Sequence, residues 1–513
     1  MWLILLALFL AIAAVPWVLP WLVIKLYLNN LRLRNRYCRS VILKELGHDS
    51  NDGRKKIVGY FHPYCNAGGG GERVLWTAIA ANQRVDSETI HVVYSGDLDA
   101  TKDEIISKVK TRFNIILDPT RLHFVFLHSR KFVEDVTWPR FTLLGQSIGS
   151  MYLAWEAMTK LIPDLYIDSM GYAFTFHVVA FLAQVPIGAY VHYPTISTDM
   201  LARVQGRQAG VTNDDFISSS AFLTWGKLLY YRFFLYYYAN SLRKASFIMV
   251  NSTWTKNHVD AILQHSDPLL TFSHLTSIAL WPIYFFSRPL STSNQARIVY
   301  PPCNTQDMQH FPLENRERII LSVAQFRPEK DHTAQLHSFH KLLELHPELS
   351  SSKEPVKLVL IGGCRNAGDQ ARLDQLKALS ELLQIGQYTE FIVNAPFSTV
   401  LSYLSKASIG LSTMVDEHFG INIVEFMAAG VIPVTHASGG PLQDIVVPWK
   451  GEHTGYHAKS PEGFAEAMYK VLTLSSQEDV AIRQRAREAA ISKFSEIEFE
   501  KGWEESGWRN YIL

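Results

Sequence analysis

A chain of 513 residues is too long for one ordinary core, and this length favours roughly two or three domains. Its 49 lysines and arginines nearly balance its 48 aspartates and glutamates, which excludes an overall basic field of the kind that binds nucleic acid. The four cysteines, Cys38, Cys65, Cys303 and Cys364, lie far apart without a CxxC pair, which argues against a structural zinc site and a disulfide scaffold.

The chain begins with an apolar run, residues 1–24, that contains no charged side chain. About 20 apolar residues suffice to cross a bilayer. The run has no basic leader and is longer than a signal-peptide core, which favours an uncleaved transmembrane helix over a cleaved signal peptide. Lys25 and three arginines follow, so the positive-inside rule places the remaining chain in the cytosol. We therefore expect a membrane anchor with a basic flank over residues 1–33.

Beyond this anchor, short β-branched or aromatic runs alternate with longer helical patterns, as in βαβ units around parallel sheets. Candidate strands begin at Lys56, Ile90, Leu122, Asp164, Ile187 and Ser246, and then at Arg318, Val356, Glu390, Ala407 and Val431. Pro301 and Pro302 interrupt regular structure between the two series. The pattern predicts doubly wound Rossmann-like domains over residues 54–300 and 301–485. A C-terminal helix over residues 486–513 can return to the first domain.

Two apolar segments need separate interpretation. Residues 221–240 are dense in aromatic side chains and include Lys227 and Arg232. A helix in the membrane interface and a core helix with satisfied tyrosines explain this composition equally well. Residues 267–294 are also apolar but are interrupted by Pro282. The sequence leaves open whether either segment contacts the membrane.

A run of glycines follows the first predicted strand, where doubly wound sheets bind their ligands. The run consists of Gly68, Gly69, Gly70 and Gly71. It is not a P-loop, because Glu72 and Arg73 stand where a P-loop needs Lys and Ser or Thr. Bare N–H groups before a helix N-terminus suit a phosphate or a sugar, and we favour this role over a flexible turn.

A pair of carboxylates follows the strand that begins at Ala407. Glu417 lies in the loop after that strand, and Glu425 lies within a helix that we expect Gly420 to open. At 1.5 Å per residue, Glu425 is about 7 Å along the helix, so the two carboxylates lie at different depths of one cleft. The helix N-terminus between them suits a diphosphate. A glycosidase pair would instead flank a single bond.

These motifs carry a family resemblance. Glu417 and Glu425, together with "FG" and "MAAG", look like the E-x7-E motif of retaining glycosyltransferases of family four. The combination of "FHPYCNAGGGGERVLW", "VHYPTIS", "VNSTWT", "IVYPPC", "QFRPEKDH" and "EHFGINIVEFMAAG" resembles the GDP-mannose-dependent α-1,2-mannosyltransferases of dolichol-linked oligosaccharide synthesis. The similarity extends from Lys56 to the C-terminus. It implies the GT-B architecture, an α/β fold whose two Rossmann-like domains face a cleft, here with an N-terminal transmembrane helix.

The resemblance also implies roles for single residues. Glu425 would hold the ribose of the nucleotide, and Glu417 would contact the transferred sugar. Lys330 would neutralise the leaving diphosphate. Arg327 is a weaker candidate for a second cation, because this chain has Gln325 at the position where the family pattern has arginine.

Other expected contacts come from the backbone and from one histidine. The backbone of Phe419, Gly420 and Ile421 would meet the diphosphate. His192, at the end of a first-domain strand, would lie near the donor sugar. Gly439 and Gly440 are further candidates for the cleft, and the glycine run would meet either the donor or the acceptor.

The implied activity is transfer of mannose from GDP-mannose, in α-1,2 linkage and with retention, onto a dolichyl-diphosphate oligosaccharide. We expect front-face substitution without a metal or another cofactor. The expected location is the endoplasmic reticulum membrane, with a single-pass anchor and cytosolic catalytic domains. The expected partners are the lipid bilayer and other mannosyltransferases of the pathway, without nucleic acid. Two alternatives stay open: a GT-B transferase with another nucleotide sugar or lipid acceptor, and a catalytically silent anchored scaffold.

Overall fold

The computed structural model describes residues 2–49, 55–196, 221–277, 286 and 295–512, without the side chains of residues 2–18, 221–225 and 275. Its strands form two sheets in which all pairings are parallel. The strands of the first sheet are β1 (Ile57–Phe61), β2 (Ile90–Ser95), β3 (Leu122–Phe126), β4 (Leu165–Asp168), β5 (Ile187–Val191), β6 (Phe247–Val250) and β7 (Arg297–Ile298). Those of the second are β8 (Glu317–Val323), β9 (Lys357–Gly362), β10 (Thr389–Val393), β11 (Ala407–Ser412), β12 (Ile432–His436) and β13 (Tyr456–Ala458).

Helices connect the strands and cover the sheets. Those of the first domain are α1 (Trp2–Glu45), α2 (Gly70–Val85), α3 (Lys102–Phe113), α4 (Thr142–Lys160), α5 (Thr175–Leu182), α6 (Ala221–Leu242), α7 (Thr253–Gln264) and α8 (Pro268–Thr276). Those that follow are α9 (His332–Leu345), α10 (Glu348–Ser351), α11 (Ala367–Leu382), α12 (Phe397–Leu404), α13 (Ile421–Ala429), α14 (Pro461–Leu472), α15 (Ser476–Phe494) and α16 (Glu496–Glu504). Helices on both faces bury the strands and explain their continuous apolar runs.

The strand order fixes where ligands can bind. It is β3-β2-β1-β4-β5-β6-β7 in the first sheet and β10-β9-β8-β11-β12-β13 in the second. Each order reverses beside its first strand, between β1 and β4 and between β8 and β11. The loops that leave these strands diverge and form a crevice at the carboxyl ends. The glycine run follows β1, Lys330 follows β8 and Glu417 follows β11.

The C-terminal segment crosses back to the first domain. Helix α15 continues through residue 486, the predicted boundary, and places Ala486, Ala490 and Phe494 in the second-domain core. The chain crosses at Ser495, which pairs with Cys303 of the outgoing linker. Beyond it, Phe499, Trp503 and Trp508 are buried in the first-domain core with Trp76, and Arg84 pairs with Glu500 at 2.5 Å. The linker that leaves the first domain and the segment that returns to it therefore lie side by side.

Every predicted strand is present, which confirms the alternating pattern. The short edge strands β7 and β13 were not predicted, because two or three residues carry no periodicity. In the part of the chain that the structure describes, no helix is both long and apolar enough to span a membrane. The predicted transmembrane run falls on α1, but most of its side chains, those up to residue 18, lie outside the described residues.

The aromatic segment combines features of both interpretations. Helix α6 buries Phe234, Tyr238 and Leu242 in the first-domain core, yet Phe233 remains 41% exposed. Of the second apolar segment, Asp267 accepts a hydrogen bond from Arg232 at 2.9 Å and caps α8. Residues 278–285 and 287–294 lie outside the described residues.

Candidate active site

A cleft of about 340 Å³ lies between the carboxyl ends of the two sheets. Its first-domain wall includes Gly70, Gly71 and His192, and its second-domain wall includes Lys330 and Glu417. The backbone of Phe419, Gly420 and Ile421 borders the same space. Most of the predicted site residues, from widely separated segments, thus come together in one cleft.

Lys330 and Glu417 form an ion pair at the second-domain wall. Lys330 Nζ lies 2.5 Å from Glu417 Oε2, and the Glu417 residue is only 8% exposed. The two residues follow β8 and β11, the strands that flank the reversal point, so their loops emerge as neighbours. Thr413 Oγ1 also donates to the Asp331 carbonyl at 2.8 Å and ties the two loops together. The pair is a preorganised charged group at the mouth of the crevice.

Gly439 and Gly440 support Glu417 from behind. Gly440 N–H donates to the Glu417 carbonyl at 2.8 Å. A β-carbon on Gly439 would lie 2.3 Å from the same carbonyl oxygen, and Gly439 has a φ of +62°. Only glycine combines this left-handed backbone with such a close approach. The two glycines therefore fix the loop that carries Glu417, and the Gly440 N–H already donates to a protein carbonyl.

Helix α13 points its N-terminus into the cleft. Gly420 occupies the position before the helix with a φ of +115°, as expected for the residue that opens it. Phe419 is 3% exposed and packs against Tyr300 and Phe494, which fixes the entry of the chain. The first turn of a helix leaves N–H groups without intrahelical acceptors. The helix end next to Lys330 is therefore an anion-binding position.

The glycine run packs against this helix. A β-carbon on Gly70 would lie 2.7 Å from Cδ1 of Ile421 in the other domain. Gly69 caps α2, and its N–H donates to the Glu72 carboxylate. Burial raises the pKa of Glu72, but hydrogen bonds from His62 and Gly69 outweigh burial and lower it overall. Glu72 is thus a structural cap, and a side chain at Gly70 would have to displace the end of the Ile421 side chain, because the two domains touch there.

His192 forms part of the first-domain wall. Its Nε2 donates to the Ser169 carbonyl at 3.1 Å, and Gly71 lies beside the ring. Burial, with a smaller contribution from the neighbouring His62, lowers the pKa of His192 to about 4. The ring is neutral at pH 7, and its Nδ1 is then a hydrogen-bond acceptor.

Glu425 belongs to an adjoining cavity of about 210 Å³ that both domains line. Gly68, Arg73, Arg112 and Phe397 border the same cavity. Burial raises the pKa of Glu425 to about 7, although Arg73 and then Arg112 act to lower it. The two carboxylates thus line two neighbouring cavities, both bordered by Ile421, where the spacing had predicted two depths of one cleft. Arg73 and Arg112 were not among the residues predicted for the site.

Arg327 is the predicted catalytic residue that the structure does not bring into the cleft. Its guanidinium lies 3.6 Å from Glu329, the side chain is 39% exposed, and it is not among the described residues that line either cavity. Gln325, at the position where the family pattern has arginine, accepts a hydrogen bond from Arg365. In the described residues, no cluster of three or more acidic, histidine or cysteine side chains is arranged to hold a metal ion.

Comparison with known proteins identifies the family. Residues 55–263 match the family described as "ALG11 mannosyltransferase N-terminus", and residues 304–490 match "Glycosyl transferases group 1". The chain is 44% identical to the human protein named "GDP-Man:Man(3)GlcNAc(2)-PP-Dol alpha-1,2-mannosyltransferase", over 89% of this chain and 88% of that protein. The chain belongs to this mannosyltransferase family. Proteins of the same name from Xenopus laevis and Caenorhabditis elegans are 46% and 38% identical, over 89% and 88% of this chain and 87% and 90% of theirs.

Solved structures agree on the architecture of this mannosyltransferase family member. Anabaena HepE in complex with UDP and glucose superposes with a TM-score of 0.55 at 13% identity, covering 88% of this chain and 98% of that one. Sucrose-phosphate synthase from Thermosynechococcus elongatus gives 0.57 at 15% identity, covering 89% and 98%. At this identity the likeness concerns the fold alone. It confirms the predicted GT-B arrangement of two Rossmann-like domains.

Contacts between the domains complete the cleft of this mannosyltransferase and were not predicted. Asp444, 2% exposed, accepts hydrogen bonds from Thr253 N–H at 2.9 Å, from the Thr253 hydroxyl at 2.5 Å and from Tyr300 OH at 2.9 Å. The rings of Tyr193 and His418 stack with centroids 4.0 Å apart. Thr253 and Tyr193 lie in the motifs "VNSTWT" and "VHYP", so the sequence already marked these two residues as part of the family pattern. Their partners in the second domain required the fold.

Proposed function

We propose that this chain transfers mannose from GDP-mannose, in α-1,2 linkage, onto the dolichyl-diphosphate oligosaccharide Man(3)GlcNAc(2). The observation that carries the proposal is the Lys330–Glu417 pair beside the N-terminus of α13, inside a cleft that both domains line. The family assignment supplies the donor and the acceptor, since relatives with this printed name cover most of the chain.

The chemistry follows from where charge develops. Departure of GDP places negative charge on its diphosphate. Preorganised N–H groups and cations therefore stabilise the transition state more strongly than the ground state. Lys330 Nζ and the first turn of α13 provide these groups. In this proposal Glu417, held by Lys330, contacts the transferred sugar, and Glu425 in the adjoining cavity binds the ribose. His192 can accept a hydrogen bond from a sugar hydroxyl.

We further propose retention of the anomeric configuration through front-face substitution, without a metal ion. The E-x7-E pattern supports this proposal, and so does the ion pair, because a carboxylate held by Lys330 suits positioning better than nucleophilic attack. Treatment with EDTA should leave the rate of transfer unchanged. Digestion of the product with an α-1,2-mannosidase should release the added mannose; resistance to the enzyme would contradict the assigned linkage.

We also propose that the chain works at the endoplasmic reticulum membrane, with its catalytic domains in the cytosol and residues 1–24 as a single-pass anchor. The acceptor's lipid supports a bilayer location. Helix α1 supports it too, because Trp21, Val23 and Leu26 are each more than half exposed. Deletion of residues 1–24 should release the protein from membranes at alkaline pH. Retention of the truncated chain in the membrane would contradict the anchor.

The decisive experiment measures transfer of label. The detergent-extracted protein is incubated with radiolabelled GDP-mannose or UDP-glucose and a dolichyl-diphosphate oligosaccharide, and label is followed into the lipid fraction. We expect label from GDP-mannose only. Glu417→Ala should abolish transfer while the melting temperature stays close to that of the wild type. Label from UDP-glucose, or no label from either donor, would reject the proposed donor.

A further inference from the structure

An apolar cavity among the described residues lies outside the cleft. It has a volume of about 410 Å³ and is formed mainly by α4 and α6 of the first domain. Its lining is almost entirely apolar and includes Leu144, Ile148, Met151, Phe233 and Phe234. A nucleotide or a sugar in such a space would lose hydrogen bonds to water without replacing them. The chemistry of the lining therefore selects a hydrocarbon.

A further cavity lies between this apolar cavity and the active-site cleft. It has a volume of about 310 Å³, shares Ser147 and Phe174 with the apolar cavity, and shares His192 and Tyr193 with the cleft. Its lining is mixed and includes the side chain of Gln146 and the residues Gly171 and Thr195. Three neighbouring spaces thus run from the Lys330–Glu417 pair through a polar section to an apolar one. This order matches a ligand with sugars at one end and hydrocarbon at the other.

The apolar cavity opens onto an apolar surface. On its rim, Leu144, Ile148 and Phe233 are 42%, 54% and 41% exposed. Helix α1 packs beside α4, where Trp155 Nε1 donates to Tyr27 OH at 2.9 Å, and it extends the exposed apolar side chains. Contiguous apolar surface of this kind marks an interaction with a membrane or a ligand. A hydrocarbon chain can pass from a bilayer at this face into the cavity.

We infer that the apolar cavity binds the isoprene units of the acceptor's dolichyl chain closest to its diphosphate, and that the mixed cavity receives the polar part that follows. The inference rests on the proposed function, because that function supplies an acceptor in which lipid and sugar are one molecule. The position of the apolar cavity, next to a mixed cavity that borders the cleft, favours this occupant over a bilayer phospholipid, which carries no group for the active site. The cavity thereby sets the distance between the membrane and the reacting sugar.

The inference is tested by separating the lipid from the sugar of the acceptor. Ile148→Glu places a charge at the rim of the cavity, at a position exposed enough to tolerate it. Ile116→Glu is the matched control, since Ile116 is 76% exposed on a loop of the same domain. Each variant is assayed with the dolichyl acceptor and with the same oligosaccharide on a short alkyl diphosphate.

For Ile148→Glu, we expect KM for the dolichyl acceptor to rise at least tenfold. KM for GDP-mannose should stay within twofold of the wild type, and so should kcat and KM for the short-chain acceptor. Ile116→Glu should match the wild type on both acceptors. Equal losses on both acceptors, or unchanged KM for the dolichyl acceptor in Ile148→Glu, would overturn the inference. Failure of the wild type to use either acceptor is a different outcome, since it rejects the proposed function itself.

A binding experiment addresses the occupant directly. A polyprenyl diphosphate carrying a diazirine near its diphosphate is photolysed with the full-length protein in phosphatidylcholine vesicles, and labelled peptides are sequenced. We expect label in α4 and α6, and competition by unlabelled dolichyl diphosphate. Equal labelling of these helices by a diazirine phosphatidylcholine, without competition, would assign the cavity to bilayer lipid and overturn the inference.

Discussion

The two walls of the cleft are built in different ways. The second-domain wall presents charge: Lys330, Glu417 and the N-terminus of α13 meet at the ends of two adjacent strands. The first-domain wall presents shape: Gly70 is bare backbone against Ile421, and His192 is neutral. Substitutions on the second wall should therefore remove chemical groups, whereas those on the first should disturb the fit between domains.

The largest effect is expected from the charged wall. Lys330→Ala removes a cation next to the leaving diphosphate, and loss of one such group typically lowers kcat by about 10²–10³-fold. Label transfer from GDP-mannose measures the rate. Lys341→Ala is the control, because Lys341 lies in α9 of the same domain and pairs with Glu344 on the surface. A kcat within threefold of the wild type would remove Lys330 from the chemistry.

A smaller but still large effect is expected from the wall of bare backbone. In Gly70→Val, the new side chain meets Ile421 and pushes the walls apart, and misplacement by about 1 Å can cost up to 10²-fold in rate. We expect kcat/KM to fall by roughly 10-fold to 100-fold while the melting temperature changes little. Gly463→Ala in α14 is the control, since its β-carbon would lie at an ordinary 3.5 Å from Ala458 and the residue does not border the cleft.

The same pair of residues tests the cause of this loss. If contact across the cleft is responsible, Ile421→Ala in the Gly70→Val background should recover much of the activity, because the smaller side chain makes room. A Gly70→Val variant that mainly unfolds would instead show that the run is a structural turn. The double variant separates fit from folding.

The sequence predicted the charged wall better than the shaped one. Glu417, Gly420 and Glu425 lie within nine residues, so local spacing predicted the loop and the helix start, although the two carboxylates line two cavities and not one. Lys330 lay in a motif that the family resemblance could locate. Arg327 lies in the same motif, but its side chain turns towards Glu329, and no local pattern reveals such an orientation.

Features that depend on two distant segments could not be predicted. Asp444 has no motif of its own, and its role appears only where Thr253 and Tyr300 converge on it. Arg73 was noticed only as a departure from a P-loop, although it borders the cavity of Glu425. The apolar cavity is likewise made by two helices that are far apart in sequence. Tertiary packing decides all three.

The contact between Thr253 and Asp444 offers a milder test of the fit between the walls. Thr253→Val removes the hydroxyl donor but keeps the N–H donor, so we expect a loss of about 1–2 kcal/mol in the free energy of unfolding. KM for GDP-mannose should rise several-fold, because the two walls lose one of the hydrogen bonds that hold them together. Thr111→Val, which alters an exposed hydroxyl of α3, should change neither quantity. An unchanged KM in Thr253→Val would mean that this contact does not align the two walls for the donor.

The smallest effect concerns Glu425, where charge and fit meet. Its pKa of about 7 lies above the value of roughly 4.3 expected for an unfolded glutamate, so between these pH values the native state binds more protons. Stability contributed by this group must therefore fall as pH rises from about 4.3 to about 7, and level off above that.

Glu425→Gln lacks this dependence. Denaturant unfolding at pH 5, 6, 7 and 8 should show the variant gaining on the wild type by on the order of 1 kcal/mol, because Arg73 and Arg112 and the open cavity moderate the cost. If the free energies of unfolding of the variant and the wild type differed by the same amount at every pH, Glu425 would be ionised throughout this range.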